Sequence, residues 1–490
     1  MSAPDLESSP SRFPEPKEFR RWLQPPVSKD RLCRLAPAPP TRLGARGLWD
    51  HLRGLIRAWW VWLALSLLLW ERGVWPLALL SGIVSLALYH TSPSVHPAIH
   101  ALEPHIDTAL AEFRTTMSGM TGMPLVEGNR VTIYNNGTEF YPAMLRAIES
   151  AQCSITMEQH IFWSGRTGRR FAEAFSEKAR QGIPVKLLVD AVGSAMLGDE
   201  ILKILTNGGC RLVWFRPIHW YAADRANQRT HRKSLIIDGR IAFTGGAGLA
   251  DHWVGSGAAE HEWRDVQICV EGPAALGQQT GFAQNWLVTT GDMLGGHDFF
   301  PLPQPVGNVQ VQTILSSPSA GAGAAGTMYL IAVQCAQNYL YIANPYFIPD
   351  ARAISMLANA CRRGVTVKLM VASQRSDNWW ARQNSLRLYG KLLEAGVEIF
   401  EFQPTMLHQK TMVVDGVWAT VGTANFDNRS FALSEETNVC FHDEALVEQL
   451  RRIFVSDLAH CQKIDISEWR RRGLWQQTKE RLASLIEDQV

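Results

Sequence analysis

From Val131 onward the chain can be aligned with itself, and this internal duplication restricts its fold more than any other feature of the 490 residues. A strand pattern followed by a helix pattern occurs as VTIYNNG and FYPAMLRAIESA in the first copy, and as VQVQTIL and TMYLIAVQCA in the second. The apolar strands SITMEQHIF and PVKLLVDA then correspond to NYLYIANPYF and TVKLMVAS, with a helix pattern between them in both copies. This order predicts an α/β fold with two lobes, each a mixed β-sheet flanked by helices, related by a pseudo-twofold axis.

Each copy also contains one H-x-K-x4-D-G motif, HRKSLIIDG beginning at His231 and HQKTMVVDG beginning at His408. Two such matches at equivalent places in a repeat are not expected by chance in a chain of this length. Because residues two apart in a strand share a face, the histidine and the lysine of each motif point the same way. An imidazole beside an ammonium group suits chemistry at a phosphate. The candidate catalytic residues are His231, Lys233, Asp238, His408, Lys410 and Asp415.

These motifs resemble the HKD signatures of the phospholipase D superfamily, and the resemblance extends from about residue 125 to about residue 465. The second copy continues as VGTANFDNRSFALSEETN, which is similar to the superfamily's pattern of a small polar residue, an Asn and a later acid. The resemblance implies that Thr423 and Asn425 contact the phosphate and that Glu436 orients the histidine of this copy.

The first copy departs from that pattern. In TGGAGLADHW, Gly246 and Gly248 occupy the places of the small polar residue and the Asn, so backbone N–H groups would have to replace part of the phosphate contacts. Asp265, within HEWRDVQICVEGP, is the candidate carboxylate of this half-site.

The resemblance also implies a covalent mechanism that uses two imidazoles of opposite protonation state. His231 is the expected nucleophile and becomes a phosphohistidine, whereas His408 first protonates the leaving group and then activates the acceptor. Lys233 and Lys410 would neutralise the nonbridging oxygens, so no metal or other cofactor is expected. The aspartates that end the two motifs are expected to support the structure rather than to carry protons.

Within the superfamily the chain is most similar to membrane-anchored bacterial cardiolipin synthases. The similarity rests on an N-terminal apolar hairpin, the WRD sequence at Trp263–Asp265, a long insertion before His231, and NPYFIPD at Asn344–Asp350. It implies phosphatidyl transfer between two phospholipids, with phosphatidylglycerol as substrate and cardiolipin as product. Ser434 and Glu435 depart from the run that those synthases have at this place.

Two other functions are compatible with the same residues. If water is the acceptor, the protein is a phospholipase D-type hydrolase of phospholipids or, less in keeping with the apolar segment, a nuclease. If the site is degenerate, the protein is a membrane-tethered binding protein, which the intact His-Lys pairs disfavour. The choice between a lipid hydroxyl and water depends on whether the site excludes water, and we expect the insertion with Trp220, Tyr221 and Arg225 to do so.

Charge and cysteine content limit the classes of molecule that the protein is expected to bind. The 48 Lys and Arg residues are balanced by 46 Asp and Glu residues, so the net charge of +2 does not indicate nucleic-acid binding. The eight cysteines include no C-x-x-C pair, which disfavours a zinc cluster and a disulfide framework. The expected partners are therefore phospholipid substrates and the membrane, not nucleic acid.

Two apolar runs near the N-terminus, WWVWLALSLLLW and VWPLALLSGIVSLALY, indicate contact with a membrane. Each is shorter than the ~20 residues that cross a bilayer upright, so two short spans, a re-entrant hairpin and one kinked helix are all compatible with them. Arginines precede the runs, which predicts a cytosolic N-terminal flank. If both runs cross, the catalytic lobes return to the cytosolic side of the cell (inner) membrane.

The predicted organisation has seven segments. They are a Pro-rich basic tail (1–50), a membrane-associated hydrophobic hairpin (51–90), a connector (91–125), the first lobe (126–300), a linker with the start of the second lobe (301–326), the second lobe (327–465) and a C-terminal helix (466–490).

Overall fold

The first described elements are two short helices near the N-terminus. The structure is a computed structural model that describes residues 59–91, 106–218, 227–318 and 323–485. The helices are α1 (Trp59–Glu71) and α2 (Trp75–Thr91). Over these described ranges, no helix combines the length and the apolarity that a membrane crossing requires.

Helices α1 and α2 pack against each other as an antiparallel hairpin. The Ser66 hydroxyl donates to the carbonyl of Ala78 at 2.7 Å, and the Ser81 hydroxyl donates to the carbonyl of Trp62 at 2.7 Å. The small polar side chains thus face the partner helix, while large apolar side chains face outward. The exposed apolar side chains include Leu67, Leu68, Trp70, Trp75, Leu77, Leu79, Leu80, Ile83 and Leu86.

The first half of the duplication contains eight strands and four helices among the described residues. They are β1 (Val126–Asn135), α4 (Gly137–Ser150), β2 (Ile155–Gln159), α5 (Arg166–Arg180), β3 (Val185–Asp190), α6 (Asp199–Asn207), β4 (Arg211–Phe215), β5 (Arg229–Thr230), β6 (Lys233–Ile237), β7 (Ile241–Gly245), β8 (Val266–Glu271) and α7 (Ala275–Thr290), preceded by α3 (Ala111–Thr121). A 3-10 turn covers Asp251–Trp253.

The second half repeats this succession with small additions. Its elements are β9 (Val309–Ser316), α8 (Ala324–Cys335), β10 (Tyr339–Ala343), β11 (Phe347–Ile348), α9 (Ala351–Arg362), β12 (Thr366–Ala372), α10 (Trp379–Glu394), β13 (Glu398–Phe402), β14 (Thr411–Val414), β15 (Trp418–Gly422), β16 (Phe426–Asp427), α11 (Asn428–Ala432), β17 (Ser434–His442), α12 (Glu444–Leu458), β18 (Cys461–Lys463), α13 (Ile466–Arg470) and α14 (Leu474–Ala483).

The strands of both halves form one continuous 16-stranded sheet. Its order is β4-β3-β2-β6-β7-β8-β1-β9-β17-β15-β14-β10-β12-β13-β18, and β5 pairs with β17. The halves meet at the antiparallel pair β1 and β9. Outward from this pair, both halves repeat the same succession of strands, so the mixed α/β architecture and its duplication are both present in the fold.

The strand directions place the two motifs at equivalent edges of the sheet. In each half three strands run parallel: β2, β3 and β4 in the first, β10, β12 and β13 in the second. The motif strands β6 and β14 run antiparallel to β2 and β10, so they begin where the parallel strands end. His231 and His408 therefore lie at the carboxyl ends of the parallel strands, where α/β sheets bind ligands.

The segment expected to be a connector contributes to the core of the second lobe. Phe113 and Met117 lie four residues apart on α3, and both are fully buried. Their rings and side chains join the cluster that includes Tyr329 and Trp418, and Phe113 meets the Trp418 ring edge-on at 6.0 Å. An apolar pair at helical spacing explains why this segment packs rather than only linking two parts of the chain.

Candidate active site

The two H-x-K motifs come together in one buried site. Lys233 begins β6, and Lys410 directly precedes β14. Each lysine lowers the pKa of the other motif's histidine as well as that of its own, so all four side chains lie within electrostatic range of one another. The duplication therefore supplies one site with two copies of the same pair.

The main chain before each histidine is held by the opposite half of the molecule. The His231 N–H donates to the carbonyl of Glu435 at 2.9 Å, beside the parallel pairing of β5 with β17. In the other half, the His408 N–H donates to the carbonyl of Arg264 at 2.8 Å. Glu435 and Arg264 directly precede the two candidate carboxylates, Glu436 and Asp265. These backbone hydrogen bonds therefore place each histidine next to the carboxylate of the other copy.

The side chains complete this exchange. His231 Nδ1 lies 3.1 Å from both carboxylate oxygens of Glu436, and His408 Nδ1 lies 3.0 Å from Asp265 Oδ2. The sequence had paired each carboxylate with the histidine of its own copy, and that pairing is wrong. A repeat aligned along the chain cannot reveal which contacts cross its twofold axis.

The lysines are tied to the backbone of their own motifs. Lys233 Nζ donates to the His231 carbonyl at 2.9 Å, and Lys410 Nζ donates to the His408 carbonyl at 2.6 Å. Lys410 Nζ also lies 3.1 Å from His408 Nε2. Burial lowers the pKa of Lys410 to about 8, and burial together with the charge of Lys410 lowers the pKa of Lys233. An anionic phosphate would oppose both effects.

Burial sets the protonation state of the histidines and carboxylates. It lowers the pKa of His231 and His408 well below the usual value, with the lysines acting in the same direction, so both imidazoles are neutral. Burial also raises the pKa of Asp265 to about 6 and that of Glu436 above its usual range. An imidazole that donates its Nδ1–H to a carboxylate presents the lone pair of Nε2, which is the form a nucleophile or a base requires.

The aspartates that end the motifs lie at the far ends of the motif strands. Asp238 accepts the backbone N–H groups of Cys153 at 2.7 Å and Ser154 at 2.9 Å, and Asp415 accepts those of Asn338 at 2.7 Å and Tyr339 at 2.9 Å. Each aspartate follows its motif lysine by five positions of extended chain, which corresponds to ~17 Å. In both halves the carboxylate fastens the turn before an inner parallel strand.

The residues after the second motif divide between two tasks. The Thr423 hydroxyl donates to the Glu436 carboxylate, so Thr423 positions the carboxylate that orients His231. The side-chain oxygen of Asn425 is buried and has no hydrogen-bond partner among the described residues. Of these two residues, only Asn425 has an uncommitted side chain, and its amide NH2 is the group that can donate to a phosphate oxygen.

Close packing accounts for the two glycines of the first copy. A Cβ at Gly246 would stand 2.4 Å from Asp265 Oδ1 and 2.6 Å from the carbonyl oxygen of His408. A Cβ at Gly248 would stand 2.8 Å from Cβ of Ile161. Both positions therefore require glycine because the Asp265–His408 pair and the adjoining loop leave no room for a side chain.

Glu435, which departs from the expected pattern, has a structural partner. Arg232 lies between the histidine and the lysine of the first motif. Its side chain donates to Glu435 Oε2 at 3.0 Å, and both side chains are buried. Gln409 has the same place in the second motif and also contacts a carboxylate, since its Nε2 donates to Asp457 Oδ2 at 3.0 Å. These contacts fix the backbone between the histidine and the lysine of each motif.

Aromatic side chains that the sequence did not indicate as site residues surround His408. The rings of Trp253 and Trp263 each lie 5.3 Å from the His408 ring, and that of Tyr346 lies 6.4 Å away. Trp253 Nε1 also donates to Asp265 Oδ2 at 3.0 Å. Trp263 and Tyr346 stand in WRD and NPYFIPD, two of the segments that carried the resemblance, but nothing in those segments indicated that they flank a histidine.

A third histidine lies beside the first motif. The His160 ring meets the His231 ring edge-on at 5.0 Å, and its Nδ1 lies 2.7 Å from the Thr230 carbonyl oxygen. His160 follows the carboxyl end of β2, which is the signal that would have identified it. Residues Trp220, Tyr221 and Arg225 of the insertion lie outside the described residues.

One group of possible metal ligands occurs in the described part of the chain. It consists of Cys153, His297 and Asp298, whose ligand atoms lie within 4.8 Å of one another. Cys153 belongs to the turn that Asp238 fastens, at the far end of β6 from His231. This group is separate from the motif residues.

Comparison with known proteins agrees with the geometry. A family model described as "Cardiolipin synthase, PLD-like domain" matches residues 144–260 and 329–458, about half of the chain. The crystal structure of a phosphatidylserine synthase from Haemophilus influenzae is 13% identical, with a TM-score of 0.57 over 77% of this chain and 100% of that one. Fold and site thus define a two-lobed protein of the phospholipase D-like class.

The relatives narrow this class. A cardiolipin synthase of Geobacillus kaustophilus is 31% identical over 366 residues, which are 74% of this chain and 73% of that protein. Cardiolipin synthase 2 of Staphylococcus epidermidis is 32% identical over 367 residues, 74% of this chain and 75% of that protein. The chain belongs to the cardiolipin synthase family.

Proposed function

We propose that the protein transfers the phosphatidyl group of one phosphatidylglycerol to a hydroxyl of a second, which gives cardiolipin and free glycerol. The observation that carries the proposal is the pair of histidines, each with its Nδ1 within 3.1 Å of a carboxylate from the other half and with a lysine beside it. Relatives named cardiolipin synthases over three quarters of the chain support lipid as the substrate.

In the first step, His231 Nε2 attacks the phosphorus while His408 gives a proton to the glycerol oxygen that leaves. A P–N bond forms and a P–O bond breaks, which leaves a phosphohistidine. In the second step, His408 takes the proton of the incoming hydroxyl, the new P–O bond forms and His231 is released. His408 must therefore gain a proton when the anionic substrate enters, since it is neutral without substrate.

Lys233 and Lys410 stabilise the charge on the nonbridging oxygens. This role accounts for two buried cations that the site retains at a cost in desolvation, and it requires no metal. Glu436 and Asp265 fix the orientation of the two imidazoles, and Thr423 holds Glu436 in place.

The hairpin of α1 and α2 attaches the enzyme to the bilayer that contains its substrate. Exposed leucines and tryptophans on both helices form an apolar surface of the kind that membranes or partners cover. At 1.5 Å per residue the helices are ~20 and ~26 Å long, which suits insertion as a hairpin into a hydrocarbon layer of ~30 Å. We assign the catalytic lobes to the cytosolic side of the inner membrane.

Product analysis tests the proposal against hydrolysis. The intact protein is incubated with phosphatidylglycerol vesicles, and the lipids are separated by chromatography. Transfer predicts cardiolipin and glycerol in equal amounts. Phosphatidic acid and glycerol without cardiolipin would replace the synthase with a phospholipase D-type hydrolase.

A further inference from the structure

The in-line course of the reaction defines where the headgroup must lie. His231 approaches phosphorus from one side, so the departing glycerol and the arriving lipid hydroxyl both occupy the opposite side, next to His408. The groups around His408 therefore contact the headgroup in both steps. Among the described residues, those whose rings flank His408 are Trp253, Trp263 and Tyr346.

Tyr346 brings a carboxylate to this side of the site. Its hydroxyl donates to Asp377 Oδ1, and Asp377 follows the carboxyl end of β12. Burial and the neighbouring charge of Asp377 hold the pKa of Tyr346 well above its usual value, so the phenol keeps its proton. Asp377 keeps contact with solvent, although desolvation by its neighbours raises the pKa of its carboxyl. It lies within electrostatic range of Lys410, whose pKa it raises.

An exposed carboxylate beside a phosphate site has a limited range of ligands. It repels a second phosphate, and it accepts hydrogen bonds from hydroxyl groups through lone pairs that Tyr346 does not use. An ammonium headgroup would have to approach Lys410 and Lys233, whose charges oppose it. A neutral headgroup with free hydroxyls is the ligand that satisfies both conditions.

The neighbouring surface suits a lipid rather than a soluble polyol. Trp379 and Trp380 follow Asp377 by two and three residues and are 45% and 46% exposed. Their rings meet edge-on at 4.8 Å. Exposed tryptophans favour the boundary between headgroups and hydrocarbon, so they can hold the glycerol backbone of a lipid whose headgroup reaches Asp377.

We propose that Asp377, held by the Tyr346 hydroxyl, is the subsite that binds the free hydroxyls of the glycerol headgroup of the phosphatidylglycerol donor. This inference rests on the proposed function, because it assigns the substrate's headgroup to particular side chains. Asp377 and Tyr346 are specificity residues and do not take part in proton transfer.

The test compares two donors that differ only in the headgroup. Vesicles contain either phosphatidylglycerol or phosphatidylethanol, whose headgroup has no free hydroxyl, and release of glycerol or ethanol gives kcat/KM for each. Loss of a hydrogen bond to a charged group corresponds to roughly 10-fold or more. Asp377→Asn is therefore expected to lower the preference for phosphatidylglycerol over phosphatidylethanol by at least about 10-fold, mainly through KM, and Tyr346→Phe to lower it in the same direction.

Asp292→Asn is the matched control, since Asp292 is an exposed aspartate that pairs with Arg211 outside the site, and it should keep the wild-type preference. An Asp377→Asn protein with the wild-type preference, or one whose rates fall equally for both donors, overturns the subsite. If the wild type releases glycerol but forms no cardiolipin, the proposed synthase function is wrong. The subsite is then still tested by the ratio of kcat/KM for phosphatidylglycerol to kcat/KM for phosphatidylethanol. Faster turnover of phosphatidylethanolamine than of phosphatidylglycerol by the wild type also overturns it, since the subsite then favours a cation.

Discussion

His231 Nδ1 lies 3.1 Å from both carboxylate oxygens of Glu436, which stands 205 residues further along the chain and in the other half of the duplication. His408 and Asp265 form the reciprocal pair at 3.0 Å. Neither half of the duplication therefore contains a complete histidine-carboxylate pair. The two lobes must dock before either imidazole is oriented.

The crossed pairing predicts different defects for the two carboxylates. With a p-nitrophenyl phosphodiester, whose leaving group needs no proton, formation of the covalent intermediate depends on His231 alone. Glu436→Gln is expected to slow the burst of p-nitrophenol by about 100-fold or more, by analogy with other histidines that lose their orienting carboxylate. Asp265→Asn is expected to keep a burst but to lower the steady-state rate, because His408 no longer activates the acceptor. Stopped-flow absorbance separates the two phases, and the reverse pattern would show that each carboxylate serves the histidine of its own half.

The aspartates of the motifs are predicted to act on stability. Asp238→Ala and Asp415→Ala each remove a carboxylate that accepts several backbone N–H groups, so each should lower the free energy of unfolding by about 1–3 kcal/mol. Because these carboxylates are far from the histidines, kcat of the folded protein should stay within about threefold of wild type. Thermal unfolding and steady-state kinetics on the same preparations check both statements. A loss of kcat without a loss of stability would place these aspartates in the chemistry.

The loss of activity at alkaline pH should follow the deprotonation of the two motif lysines. Lys233 and Lys410 both act as cations, so activity is lost as pH rises through their lowered pKa values, about 7 for Lys233 and about 8 for Lys410. The value of kcat/KM should fall up to tenfold per pH unit above the first pKa and more steeply above the second. Asp265 raises the pKa of Lys410, so Asp265→Asn should move this limit to lower pH. A pH-rate profile that is level to pH 10, or a limit that moves upward in the variant, contradicts the role of the lysine.

Removing residues 1–90 should release the protein from vesicles and leave its chemistry intact. The hairpin is removed, whereas α3 and both lobes remain. Sedimentation with phosphatidylglycerol vesicles should fall, while turnover of a soluble p-nitrophenyl phosphodiester stays within about twofold. Removing residues 1–125 provides the comparison, since it also deletes Phe113 and Met117 and should destabilise the second lobe by about 3 kcal/mol or more. Unchanged sedimentation after removal of the hairpin alone would show that the lobes bind the membrane by themselves.

The sequence was sufficient to predict the lobes and the motif residues because these depend on local periodicity and on a repeat. The α/β class followed from the alternation of strand and helix patterns, and His231, Lys233, His408 and Lys410 followed from one motif found twice. The sequence predicted that Glu436 orients His408, whereas the structure pairs it with His231. This prediction was wrong because the pairing depends on how the two copies dock. The same reason hides Tyr346 and Asp377, which are 31 residues apart in the chain and meet only after β10 and β12 lie side by side.

The function of single residues near the motifs was also hard to predict. Gly246 looked like a lost phosphate contact, but the structure shows that Asp265 and the His408 carbonyl occupy the space a side chain would need. Thr423 was expected at the phosphate, and its hydroxyl instead holds Glu436. In both cases the deciding partner belongs to a strand or loop distant in sequence.

The identity of the covalently modified histidine tests the central claim most directly. His408→Ala protein is mixed with a p-nitrophenyl ester of phosphatidic acid, quenched, digested and analysed by mass spectrometry. Because this variant can form the intermediate but has no base to resolve it, the phosphatidyl group should accumulate on the peptide that contains His231 and be absent from His231→Ala protein. A p-nitrophenol burst without any phosphohistidine, or a modified residue other than His231, would contradict a two-histidine mechanism in which His231 is the nucleophile.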